Sequence, residues 1–149
     1  MEDWKKDLKD LFKQEKTKKE QKTKVEAKKK EQEPRVKEFY SSTVIPAFEE
    51  LKVEFGKYGR VADIFKRLNF ASFRVSSFDT DQILSLELEA SISPDRVYLV
   101  STYNYRNTKT GEYGASSADL KKGDRDISEI SKEDIVNKFV QLYKEHIKL

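Results

Sequence analysis

Cysteine is absent from this chain of 149 residues. That excludes disulfides, thiolate nucleophiles and cysteine-ligated metals. Histidine occurs once, at His146, so a zinc centre would lack the further His or Cys ligands it needs. Only five glycines are present, and none stands in a GxxxxGK[ST] or GxGxxG arrangement, so no phosphate-cradling loop is written here. No apolar run approaches the roughly 20 residues that span a bilayer. The N-terminus has interspersed charges and no apolar segment behind them, unlike a signal peptide. A soluble cytoplasmic protein without cofactor or metal is the expectation.

Charge of one sign is also scarce overall: 30 basic residues face 27 acidic ones. The small excess is local. Residues 1–34 hold 12 Lys and 9 acids, so residues 35–149 are formally neutral. Within 13–30, nine Lys meet three Glu. Only such a cluster can steer an anion.

Apolar side chains almost vanish between 13 and 33, where Val25 and Ala27 stand alone. Just before this run sit Trp4, Leu8, Leu11 and Phe12, spaced i, i+4, i+7, i+8. On a helix they form one apolar stripe. A coiled-coil seam would continue it, but the next seam positions are Glu15, Lys18, Lys22 and Val25. Each Glu of the run has a Lys four residues on: Glu15–Lys19, Glu20–Lys24 and Glu26–Lys30. That order favours a helix by about 0.2–0.5 kcal/mol per pair. An unpacked helix of this kind is marginal, and its composition suits a disordered segment as well. The chain therefore divides into a charged arm, 1–33, and a single α+β domain, 34–149.

From Pro34, apolar residues recur every three or four positions through Val36, Phe39, Tyr40, Val44, Ala47, Phe48, Leu51 and Phe55. This predicts an amphipathic helix, kinked or split at Pro46 and ended by Gly56 and Gly59. Residues 60–67 and 70–76 read as strands. Along 83–92, Leu84, Leu86, Leu88, Ala90 and Ile92 alternate with Ile83, Ser85, Glu87, Glu89 and Ser91, the pattern of a half-buried strand. Residues 96–106 give a fourth strand and 112–117 a short fifth. Short connections imply an antiparallel meander. Ser131 and Asp134 resemble a capping box ahead of a last helix with Ile135, Phe139, Leu142, Tyr143 and Ile147 on one side. The predicted fold is a four- to five-stranded antiparallel sheet, covered on one face by a kinked N-terminal helix and a C-terminal helix. The other face is left wet.

Candidate chemistry is thin. His146 near a helix end ordinarily favours the negative end of the dipole. Asp79 and Asp81 resemble the first two ligands of a calcium loop, but the Gly and Glu that complete one are missing. They suit a turn better. Asp124 and Asp126 bracket Arg125 in a polar stretch. Glu87 and Glu89 point the same way from one strand and, like Asp63, would need a second acid beside them to form an acid–base pair. Gly56-Lys57-Tyr58-Gly59 and Gly111-Glu112-Tyr113-Gly114 match the GxxG of a nucleic-acid backbone clamp. Neither lies between helices, so a helix end and a hairpin turn explain them better. Tyr98, beside Arg96 on the wet face, is the best-placed base-stacking aromatic; the other strand aromatics read as core.

Three functions remain. The first is a non-enzymatic interaction or assembly module anchored by Trp4, Leu8, Leu11 and Phe12, with a protein partner or a second copy of the chain as its target. The second is sequence-independent nucleic-acid binding through Lys16, Lys18, Lys19, Lys22, Lys24, Lys28, Lys29 and Lys30. The third is small-molecule binding or carboxylate-based catalysis in the α+β domain.

Overall fold

The structure, a computed structural model, describes residues 3–77, 81–121 and 125–147. Asp79 and Asp124 lie outside the described residues. Helix α1 (Asp3–Glu31) runs through the apolar stripe and the charged segment without a break. Thr17 and Thr23 donate their hydroxyls to the carbonyls of Lys13 and Lys19, both at 2.9 Å. The Glu–Lys pairs expected along it are not closed; the ion pairs of the described residues lie elsewhere. The arm is thus helical, and it buries none of its residues.

Gln32 alone separates α1 from α2 (Glu33–Phe39), which has Pro34 in its first turn. A π-helical turn, Tyr40–Val44, then leads into α3 (Ile45–Lys57). The split falls where Pro46 requires it. Proline has no N–H to offer the preceding turn, and a π turn absorbs that missing bond. Ser41 and Ser42 donate their hydroxyls to the Glu38 carbonyl at 3.1 and 2.7 Å. The result is a long, bent N-terminal helical run from residue 3 to 57.

Five strands follow: β1 (Val61–Arg67), β2 (Phe70–Ser76), β3 (Gln82–Ile92), β4 (Val97–Asn107) and β5 (Tyr113–Ser117). They pair in chain order as one antiparallel meander. Register decides which face each side chain takes, because alternate residues point to opposite sides. Ile64, Phe73, Leu86 and Tyr103 stand in one row across the sheet, as do Ala62, Val75, Leu84 and Tyr105. These rows face the helices. Helix α4 (Lys132–His146) begins at a complete capping box: the Asp134 N–H donates to Ser131 Oγ at 3.2 Å, and the Ser131 N–H to Asp134 Oδ2 at 2.8 Å. Burial raises the Asp134 pKa, but the Ser131 bonds and Lys121 outweigh it and leave the carboxyl below its usual value.

The core is aromatic where α3, α4 and β2 meet. Phe48 stacks on Phe73 with ring centroids 5.4 Å apart, and Phe139 meets Phe73 edge-on at 4.8 Å. Tyr40 is fully buried, and its hydroxyl lies 2.9 Å from the Asn69 carbonyl and 3.0 Å from that of Leu88. Burial pushes its ionisation well above the ordinary phenol value, so the hydroxyl is a permanent donor. It joins the π turn to the β1–β2 turn and to β3. Tyr40→Phe keeps the ring and removes that donor. The expected loss in urea unfolding is about 1 kcal/mol, the net value of one hydrogen bond, since the Asn69 carbonyl keeps the Ala90 N–H at 2.8 Å.

Candidate interaction surfaces

Three surfaces stand out on the described residues. The first is the stripe on α1. Trp4, Leu8, Leu11 and Phe12 are 57%, 42%, 56% and 61% exposed. The helix brings them to one face, as their spacing predicts, yet no other element covers them. Their one polar neighbour of note is Lys5, whose Nζ sits 5.6 Å from the Trp4 ring centroid. At 1.5 Å per residue, α1 extends for about 43 Å.

The second surface is a groove of about 210 Å³ between α3 and α4. Leu51 and Phe55 form its floor, and Val136 and Val140 its α4 wall. Glu50, Glu54 and Tyr58 rim it on the α3 side. Lys132 holds Glu50 at 2.8 Å across one end, and Lys57 holds Glu54 at 2.8 Å. The lining is mostly apolar, and Tyr58 beside it is 74% exposed. Sequence periodicity marks the buried stripe of each helix but not the hollow between the two, which needs their pairing.

The third is the sheet face that carries no helix. Arg67 lies over both Phe65 and Phe70, at 5.4 and 5.2 Å from their centroids, and Arg96 lies 5.3 Å from the Tyr98 centroid. Tyr98 stands where the sequence puts it. Phe65 and Phe70 do not, since strand aromatics read as core and these two face outward. The register supplies the reason: Phe65 is opposite Ser72, and Phe70 opposite Glu89, both on the uncovered side. Further along, Arg74, Ser85, Asn104 and Arg106 line a shallow polar depression. Glu87 meets Ser72 and Thr102 across the strands, and Asp63 meets Arg74. No second acid faces any of them in these rows, so an acid–base pair is not assembled there.

The remaining sequence candidates make contacts within the fold. The His146 ring packs 4.8 Å from Tyr103 and 6.1 Å from Tyr105. Gly59 and Gly111 adopt φ of 73° and 79° at the end of α3 and in the β4–β5 turn, conformations in which glycine is the least strained residue. Both GxxG sequences are thereby explained. The Asp81 carbonyl accepts the N–H of Thr108 at 2.9 Å. Asp126, a loop acid by sequence, is a hub. It accepts from Arg35, from the Val97 N–H at 3.0 Å, and from the Ser128 N–H and hydroxyl at 3.0 and 2.6 Å. Burial raises its pKa, but these four donors overcome that and hold the carboxyl well below the usual carboxylate range.

Both sheet edges are blunted. Lys66 occupies a helix-facing register position on β1, opposite Ala71, yet stays exposed. β5 is short and polar. Inward charge and a short edge strand discourage strand addition. Among the described residues no group of three His, Cys, Asp or Glu could hold a metal, and no helix is long and apolar enough to cross a membrane. No protein-family model, curated protein or solved structure matches the chain.

Proposed function

We propose that this protein is a non-enzymatic assembly module, anchored to a protein partner by the N-terminal helix. The observation that carries the reading is the exposure of Trp4, Leu8, Leu11 and Phe12 on a helix that buries nothing. Fully burying side chains of this size stabilises by about 1.5–3 kcal/mol each, less the cost of ordering them. The rest of the described chain leaves this stripe uncovered, held beyond a charged spacer. An amphipathic helix laid into an apolar groove is a recurrent mode of recognition. The simplest partner is a second copy, because most soluble oligomers are homo-oligomers.

Trp4 is the only tryptophan, so its fluorescence reports the stripe directly. Its emission is expected to shift to the blue, and its anisotropy to rise, as the chain or a cognate partner is titrated. Emission at the fully hydrated wavelength at every concentration tested, with every candidate partner, would retire the reading.

A second reading rests on the lysines. Lys16, Lys18, Lys19, Lys22, Lys24, Lys28, Lys29 and Lys30 are all exposed, and no ion pair of the described residues engages them. If they bind phosphate backbones, RNA or DNA is retarded in gels at about 50 mM salt, and affinity falls steeply as salt rises. Charge reversal of the eight lysines abolishes that retardation. A stripe-driven complex changes far less with salt, which separates the two readings.

A further inference from the structure

We propose that the groove between α3 and α4 receives the α1 stripe of a second copy of this chain. The inference rests on α1 acting as an anchor and names the surface it anchors to. Three observations on the molecule support it.

The first is apolar match. The groove combines the floor of Leu51 and Phe55 with the Val136–Val140 wall, and it lies between two packed helices. A third helix laid there completes a three-helix contact, with the stripe as its buried side.

The second is charge. Going round α1 at about 100° per residue, Lys5, Lys9 and Lys16 follow one flank of the stripe. Asp3, Asp7 and Asp10 follow the opposite side. The groove is asymmetric in the same sense. Its α3 rim carries Glu50 and Glu54. The α4 wall, Val136 and Val140, adds no charged side chain to the lining. Seating the basic flank on the α3 rim sets the rotation of the incoming helix. The Glu50–Lys132 and Glu54–Lys57 pairs already present are exposed and weak, so they exchange readily.

The third is spacing about Gln32. Trp4 and Phe12 lie 28 and 20 residues before it, and Glu50 and Tyr58 lie 18 and 26 residues after it. Along helices these paths are roughly 30–42 Å and 27–39 Å. Two chains paired antiparallel about Gln32 thus have stripe and groove at matching path lengths from the crossing, on either side of the bend in each run. Two identical contacts form and the symmetry closes. The same match would arise if α1 folded back on its own domain, but Gln32 opposes that reversal. Its backbone is right-handed helical, at φ −83° and ψ −16°. Its N–H donates to Lys29 O at 3.0 Å, its carbonyl accepts from Val36 N–H at 3.0 Å, and its side chain donates to Pro94 O at 3.2 Å.

The test uses full-length chains and sedimentation equilibrium. Val140→Asp, checked for an unchanged melting temperature, is expected to weaken dimerisation at least about 10-fold. The triple charge reversal of Lys5, Lys9 and Lys16 to Glu does the same, and adding Glu50→Lys with Glu54→Lys restores most of the loss. Mixing Val140→Asp chains with chains carrying Ser at the four stripe positions restores a dimer, because one intact contact survives per pair. If stripe substitutions dissociate the protein while Val140→Asp and both charge reversals leave it intact, the groove assignment is overturned and the anchor reading stands. A monomer whose Trp4 emission is blue-shifted at every dilution shows α1 folded onto its own groove and overturns the second copy. A monomer with hydrated Trp4 removes both the anchor on a second copy and the groove.

Discussion

Serine at Trp4, Leu8, Leu11 and Phe12 together is expected to weaken self-association by at least about 10³-fold and to leave the melting temperature of the domain unchanged. The size follows from gross burial. In each of the two contacts, four such side chains contribute roughly 6–12 kcal/mol when fully covered. Ordering and rigid-body costs remove a large share, and a net of about 4 kcal/mol corresponds to the stated factor. The unchanged stability follows from the helix itself, since α1 buries none of its residues. Sedimentation equilibrium reads the first half and thermal unfolding at low concentration the second. A stripe that instead served the domain core would lower the melting temperature when polar groups replaced it.

Asp126→Ala is expected to destabilise the fold by about 2–4 kcal/mol at neutral pH. This one carboxylate receives four hydrogen bonds that tie α2, the start of β4 and the turn before α4 together. Bonds to a charged group contribute about 1.5–3 kcal/mol each in isolation. Shared donors, and the partial exposure of Arg35, reduce the sum. The pH dependence has a definite sign. The folded pKa is depressed, so the contribution is fully present above the unfolded value of about 3.9. It is lost as pH falls below that value and through the folded one. Wild-type stability should therefore drop on acidification below about pH 4, and Asp126→Asn should flatten that part of the curve. The measurement is urea unfolding at pH 3, 4, 5 and 7 for both chains.

Most of the fold was legible because its signals are local. Alternation marked Leu84 to Ile92 as a half-buried strand, and short polar turns on either side implied antiparallel neighbours. Ser131 and Asp134 announced α4 through bonds three residues apart. What escaped reading depends on distant contacts. Asp126 looks like any loop acid until Arg35, 91 residues away, is brought against it. Phe65 and Phe70 carry the composition of core residues, and only the strand register turns them outward. The π turn was half legible: Pro46 demanded a break, but the way the break is absorbed depends on hydrogen bonding around Tyr40 and Glu38.

For the candidate site the balance is similar. The stripe is a helical pattern and could be read directly. Whether the arm was helix or coil could not, because Glu–Lys spacing supports the first and lysine-rich composition permits the second. The groove was invisible, since Leu51 and Val140 become neighbours only when α3 packs on α4. Its rim charges acquire meaning only beside the flanks of α1.

Molecular mass in solution tests the central claim most directly. Sedimentation equilibrium of the full 17.5 kDa chain, alongside a chain lacking residues 1–31, covers the micromolar to millimolar range. The full-length mass is expected to rise with concentration to that of a dimer, while the shortened chain stays folded and monomeric. Identical masses for the two chains throughout, with Trp4 freely rotating in the longer one, would contradict that claim.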